Sequence, residues 1–367
     1  MAAIFDVIVV GAGAVGAACA RELAVAGRRV LIVDRGTPEG EAWRAAAGML
    51  APQIEAVPED PLFDLGLAGR ERYGLLAPLL LSSTGIDIGL WQSGIAHLAL
   101  NESSAHELRL SVSQQRQQGH LCDWLDAAEV KEQWPWLGPS HGALWAPREC
   151  ALDPVRLVEA LLADARAHGA VVVQDQVVQL EQAGDRVTGV RGRDFYAAPE
   201  VVIAAGAWSG AIRGMPRPLS VQPVRGQMAA LPWPLGVPPA IMYNRDCYLV
   251  YRDGEALIGS TMEYAGFDHS PTPEGIERIR TAVSAMYPQL ASLTIRRTWA
   301  GLRPISPDGR PIVGAEPRLP GLWYATGHGR NGILLAGITG VIIRELLDGE
   351  DPREEMDALR ADRFWRW

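Results

Sequence analysis

Four cysteines in 367 residues are too few for a disulfide framework. Cys19, Cys122, Cys150 and Cys247 show neither paired nor metal-ligand spacing, so reduced thiols in a cytoplasmic protein and no metal site are expected. An excess of basic charge is also missing: 34 Lys and Arg face 43 Asp and Glu, a net charge of -9. That argues against a nucleic-acid groove, which needs clustered cations. Long apolar runs are absent. The most apolar stretch, Gly332 to Ile343, is too short to span a bilayer and holds three glycines, so it reads as a buried helix. No low-complexity segment stands out, although Pro58, Pro61 and nearby acids suggest a surface loop. The first strand-like run sits at the N-terminus itself, which leaves no room for a cleaved signal peptide. What is present is 48% hydrophobic residues, an ample core for two domains.

The chain is organised around one stretch. A buried-strand run from Val7 to Val10 feeds into Gly11, Gly13 and Gly16. A helical pattern follows to about Gly27, and a second apolar run, Val30 to Val33, ends at Asp34. Gly11 permits the tight turn. Gly13 lets the backbone approach a pyrophosphate, and Gly16 lets the helix pack close to the strand. The helix N-terminus offers free N–H groups and a positive dipole end to phosphates. Asp34 is placed to accept hydrogen bonds from ribose hydroxyls, favouring FAD or NAD over NADP. The glycines alone would serve equally as a plain strand-to-helix connector. With the strand before and the acid after, they point to dinucleotide binding.

Further along, the small residues Ala45 to Gly48 suit a tightly packed helix or a backbone passing close to a flat ligand, and their place after the first βαβ unit favours the second. Asp60 to Leu81 has helical spacing, Ile86 to Leu100 alternates loosely as strands, and Glu102 to Gln118 reads as a solvated helix. Trp134, Trp136 and Trp145 mark a packed, irregular stretch. Asp153 and Pro154 open the clearest helix, as cap and first-turn residue, and Gly169 ends it. Val171 to Val173 reads as a buried strand, Asp185 to Val190 as a hairpin strand, and Val201 to Ile203 as a buried strand running into Gly206. The extended segment at Val177 and Val178 could meet an adenine ring. From Ser220 to Ala300 the texture is strand-rich, with an Asp253-Gly254 turn and a helix from Pro273 to Met286 capped by Thr272. The strand Leu322 to Thr326 leads into a second glycine-rich turn and the apolar helix to Leu347. That helix start is a ready anion site, able to stabilise the negative charge of a reduced flavin.

Five motifs occur in order: the Gly11–Gly16 turn with Asp34, Ala45-Ala46-Ala47-Gly48-Met49, Ala205-Gly206-Ala207-Trp208-Ser209, Ala300-Gly301-Leu302-Arg303-Pro304 and Gly327-His328-Gly329-Arg330-Asn331-Gly332. Together they resemble the D-amino-acid oxidase family of flavoproteins over essentially the whole chain, and within it the branch that oxidises glycine for the thiazole of thiamine. The resemblance implies an α/β fold, a Rossmann-like FAD-binding domain with an inserted antiparallel-sheet substrate domain. The former would take residues 1–80, 150–218 and 306–367, and the latter 81–149 and 219–305.

By the same resemblance FAD is bound noncovalently and extended. Beside Gly11, Gly13, Gly16 and Gly206, it would contact Ala14, Val15, Asp34, Arg35, Ala46, Ala47, Gly48, Met49 and Val178. Around the second turn it would contact His328, Gly329, Arg330, Asn331, Gly332, Ile333 and Leu334. Arg303 would hold the substrate carboxylate with help from Tyr248, while Met262 and Arg330 line the rest of the pocket. Three departures stand out. Asp246 replaces a histidine of relatives, where an acid would attract a substrate ammonium or disfavour a second carboxylate. Gly329 replaces a bulkier residue and would leave the pocket roomier. The cysteine that attaches flavin covalently in some relatives is missing between Pro304 and Gly327.

The implied reaction removes a hydride from the substrate α-carbon to the flavin and leaves an imine that water hydrolyses. The amine must first lose a proton, which favours alkaline pH. Arginine suits the carboxylate because its planar fork pairs bidentately. Three activities stay open: an oxidase of glycine, sarcosine and small D-amino acids that reduces O2 to H2O2; a D-amino-acid dehydrogenase passing electrons to a quinone; and a flavin domain acting on a modified tRNA base, which the charge disfavours. The expected partners are a small amino acid and O2, without nucleic acid or a transmembrane segment, leaving room for a homo-oligomer.

Overall fold

The computed structural model describes residues 5–37, 39–56, 58–350 and 354–364, with side chains 354 and 355 left aside. Residues 1–4, 38, 57, 351–353 and 365–367 of the expected flavin-binding segments lie outside these. The first sheet has six strands in the order Ile312–Ala315, Leu322–Thr326, Glu200–Ile203, Val7–Val10, Val30–Asp34, Val171–Gln174. All pairings are parallel except that of the first two strands. A parallel sheet is covered on both faces, so its strands read as continuous apolar runs. Val7, Val9 and Ile32 face the helices Ala14–Val25, Pro154–Ala167 and Gly332–Leu347, while Ile8, Val10 and Leu31 face a three-stranded sheet of residues 179–197. The helices touch closely: a Cβ on Gly340 would lie 2.7 Å from the Ala18 carbonyl oxygen.

The second sheet has eight strands, in the order Arg297–Ile305, Gln222–Pro232, Glu255–Gly259, Tyr248–Arg252, Ile241–Tyr243, Ile95–Ala99, Gly142–Ala146, Asp123–Leu125. It is antiparallel apart from the parallel pairing of Ile241–Tyr243 with Ile95–Ala99. Helix Pro273–Met286 packs on it, and the Thr272 side chain accepts the Gly275 N–H, as its sequence position suggests. Asp153 caps its helix in the same way, accepting from the N–H groups of Val155 and Arg156. Such a cap contributes about 0.5–2 kcal/mol.

Three local expectations need correction. Val171–Gln174 forms a strand, but at the sheet edge, and Val171 is 44% exposed rather than buried. Between Ile86 and Leu100 only Ile95–Ala99 is a strand, because Gly89 and Gly94 take left-handed conformations. The tryptophan-rich stretch is more regular than expected. Helix Ala127–Gln133 and strand Gly142–Ala146 flank it, and Trp134 packs 5.4 Å from Trp145, ring centre to ring centre.

Candidate active site

A long cleft runs between the carboxyl edge of the first sheet and the near face of the second. It begins at the glycine turn. Gly11 has φ +104°, and a Cβ there would stand 2.5 Å from the Ala204 carbonyl oxygen, so neither conformation nor space admits a side chain. Gly13, Ala14 and Val15 line the cleft at the start of the first helix, whose leading N–H groups have no intrahelical partners. Gly16 faces inward instead: its Cβ would stand 2.0 Å from the Gly11 carbonyl oxygen, which is the close packing its position calls for. Asp34 lines the cleft and ties two loops together, accepting from the Ala12 N–H at 2.8 Å and the Gly36 N–H at 2.7 Å. The Arg35 guanidinium carbon lies over the Trp208 ring, 3.5 Å from its centre, and Val178 lines this end.

Ala45, Ala46, Ala47, Gly48 and Met49 form the middle wall. Beyond the short helix Ala42–Ala45 the backbone leaves helical geometry, so Ala46 to Met49 are not a packed helix. The wall is anchored from behind. Arg252 donates to the carbonyls of Ala47 and Leu152, and Trp299 Nε1 donates to Ala45 at 3.2 Å. A Cβ on Gly48, at φ +80°, would stand 2.0 Å from the Leu152 oxygen.

The opposite wall is the second glycine-rich turn. Gly206, His328, Gly329, Arg330, Gly332 and Ile333 line it. His328 is buried against Thr339, 3.0 Å away, and burial drives its imidazole down to about 3, so it is neutral at ordinary pH. Gly332 opens the long C-terminal helix toward the cleft, with no side-chain cap on its leading N–H groups. Asn331 and Leu334 are not in the wall, and Leu334 packs instead against the helix that holds Gly66 and Gly69. At Gly329, φ is +55° and a Cβ would touch Ile305 Cδ1 at 3.1 Å, so the missing side chain relieves crowding against Ile305 as well as opening the cleft.

The far end is built on the second sheet. Arg303 Nη1 donates to the Thr261 carbonyl at 2.9 Å and Nη2 to Ser260 Oγ at 2.6 Å. It makes no ion pair among the described residues, and burial lowers its pKa. Its guanidinium lies across Gly226, where a Cβ would stand 2.2 Å from Nη1. The Tyr248 ring lies across Gly259 in the same manner, and burial raises its pKa. Strand Arg297–Ile305 is pinned to both walls, through the Leu302 N–H to Gly40 at 2.9 Å and the Gly329 N–H to Pro304 at 2.8 Å. Arg330 also reaches this end, but it is engaged: Nη2 donates to Glu55 at 2.7 Å and to Tyr243 Oη at 3.0 Å, and the nearby carboxylate raises its pKa.

The structure does not bring Asp246 and Met262 into this wall. Asp246 is exposed, in a turn where its N–H donates to Asn244 Oδ1, and Met262 is 52% exposed. Sequence reasoning missed Glu55, Trp43, Ser260 and Gly226, all in the wall. No motif marks them, because sheet pairing and two four-residue helices bring them there.

The family model "FAD dependent oxidoreductase" matches residues 6–346. The glycine oxidase of Geobacillus kaustophilus is 35% identical over 95% of this chain and 94% of that protein. The crystal structure of glycine oxidase from Geobacillus kaustophilus superposes with a TM-score of 0.92, at 32% identity over 97% of this chain and 98% of that one. The bifunctional protein ThiO/ThiG of Nostoc sp. is 32% identical over 93% of this chain but only 52% of its own length. With the glycine turn, the walls and Arg303 already in place, the match settles the family: the chain belongs to the FAD-dependent oxidoreductases.

Proposed function

We propose that the protein catalyses the oxidative deamination of glycine and other small amino acids or amines: glycine, O2 and water give glyoxylate, ammonia and H2O2. Three features of the cleft fit an extended FAD. The glycine cradle and free helix N-terminus at Gly11–Val15 suit a pyrophosphate. The Asp34 carboxylate lies beside them for the ribose. The Ala45–Met49 wall and the Gly332 helix start both line the cleft and would hold a flat ring. When bound, FAD supplies the hydride acceptor and passes electrons on to O2.

This chain's residues position and compensate charge. Arg303 binds the carboxylate with its free N–H donors, and the Tyr248 hydroxyl adds to the same anchor. The N–H groups of Gly332 and Ile333 and the helix dipole favour negative charge at their end of the cleft. Neutral His328 adds no cation. Glu55 compensates Arg330. The single observation that carries the reading is Arg303: a largely desolvated guanidinium with no ion pair among the described residues, opening onto a dinucleotide cleft. An unpaired buried charge is costly, and a substrate carboxylate pairs it.

The same proposal takes residues 1–80, 150–218 and 306–367 as the flavin-binding part and 81–149 and 219–305 as the substrate-binding part. The strands of the six-stranded and eight-stranded sheets divide along these lines. A cytoplasmic location and a role in thiazole formation for thiamine belong to it too. Their support is four free, buried cysteines and the likeness to bifunctional ThiO/ThiG proteins. Among the described residues no helix is long and apolar enough to cross a membrane. The test is an oxygen-uptake screen over glycine, sarcosine, D-alanine and D-proline. Uptake with stoichiometric peroxide on glycine is expected. Reduction of a quinone dye without oxygen uptake would favour a dehydrogenase.

A further inference from the structure

Resting on the substrate site just described, we propose that Glu149, outside the cleft, is a positioning residue for substrate binding: it fixes helix Pro52–Glu55, and through Glu55 it fixes the Arg330 guanidinium. A four-residue helix cannot hold itself, since nucleation alone is unfavourable, and this one has no side-chain cap. It is held from behind by a buried polar network centred on Gln53. Glu149 Oε1 accepts from the Gln53 N–H at 3.2 Å and from Arg70 Nη1 at 2.7 Å. Arg70 Nη1 also donates to Gln53 Oε1 at 2.9 Å. Gln115 Nε2 donates to the Gln53 carbonyl at 2.9 Å, and Gln53 Nε2 returns a bond to Gln115 Oε1 at 3.0 Å. The backbone N–H, the carbonyl and both side-chain polar atoms of Gln53 are thus all engaged.

Two residues on, Glu55 meets Arg330 in the cleft. Glu149 is fully buried, and its Oε2 finds no donor among the described residues. A buried ion pair rarely improves on apolar packing for stability alone. Its geometry has a use here: it aims the carboxylate that neutralises the second arginine beside Arg303.

The test compares holoenzymes of Glu55→Gln, Glu149→Ala and the double variant. Two constants are read: KM for glycine from oxygen uptake, and Kd for acetate from the flavin spectrum. Losing the hold of Glu55 leaves Arg330 uncompensated. Acetate, a bare anion, then binds more tightly, and glycine, whose ammonium is repelled, binds more weakly, each by about three- to fivefold. Glu149→Ala should move both constants in these opposed directions and add nothing in the Glu55→Gln background. A merely loosened fold would weaken both ligands, and its effect would multiply with that of Glu55→Gln. That outcome, or wild-type constants in Glu149→Ala, overturns the proposal. If Glu149→Ala does not fold, Gln115→Leu removes the donor to the Gln53 carbonyl at similar volume and must give the same opposed shifts. A wild-type protein that binds acetate without oxidising glycine refutes the proposed reaction while the acetate arm still judges Glu149. One that does neither overturns both readings.

Discussion

Replacing Arg303 by lysine separates an anchor from a mere positive charge. The guanidinium spends two N–H donors on Thr261 and Ser260. An arginine has five, so three remain for a carboxylate. A lysine ammonium has three in all on a different stem and cannot serve both protein acceptors and a bidentate carboxylate. Truncating one partner of a desolvated charge pair costs about 2–5 kcal/mol. At 1.4 kcal/mol per tenfold, that is roughly 30- to 4,000-fold in KM. Burial already lowers the pKa of Arg303, and a lysine starts about two units lower. The substituted ammonium therefore loses its proton as pH rises, and the defect deepens at alkaline pH. The assay is steady-state oxygen uptake on glycine for Arg303→Lys and Arg330→Lys side by side, with the flavin spectrum as a control for cofactor binding. Arg303→Lys should retain its flavin and lose apparent affinity steeply, with kcat falling too if the anchor sets the distance of the α-carbon from the flavin. Near-normal kinetics in Arg303→Lys beside a large defect in Arg330→Lys would refute the assignment.

Asp34→Ala should weaken FAD by about 1.5–3 kcal/mol or more, because it removes a ribose acceptor and also frees the Ala12 and Gly36 N–H groups; titration of the apoprotein measures it, and unchanged affinity would remove Asp34 from the site. Acid denaturation should release all the flavin into the supernatant, since no cysteine lies between Pro304 and Gly327; flavin retained on the precipitated chain would contradict this. Burial holds His97 at about 4 and His328 at about 3, both below the ordinary imidazole value. At these two sites the unfolded chain therefore binds more protons than the folded one below about pH 6.5, and their contribution to stability should fall as pH drops from there toward 3, while Glu149, raised by burial to about 8, contributes with the opposite sign. Thermal unfolding of wild type and His97→Gln between pH 7 and 4 checks this, with a shallower slope expected for the variant.

Much of the cleft was legible in the sequence because its parts are local. A strand, a glycine turn, a helix start and an acid at a fixed distance are one folding unit. Gly11, Asp34 and, from the second turn, His328, Gly329, Arg330 and Gly332 all line the cleft. Helix caps at Asp153 and Thr272 were equally plain, since a cap is a contact over two or three residues. The failures share a cause. Val171–Val173 has the composition of a buried strand, and only its place at the sheet edge exposes it. Asp246 and Met262 sit close in sequence to Tyr248 and Ser260, yet their side chains stay outside the cleft. Glu55 carries no signal at all: it matters only because a buried network sets its helix opposite Arg330.

The central claim is that glycine, held by Arg303 in this cleft, reduces bound flavin and that O2 takes the electrons. Anaerobic mixing of the purified holoenzyme with glycine, followed by admission of air, tests it most directly. The account predicts bleaching of the visible flavin band by glycine alone, then its return in air once the glycine is consumed, with one H2O2 and one ammonia formed per glycine oxidised. A band that persists in saturating glycine, or one that bleaches but does not recover in air, would contradict it.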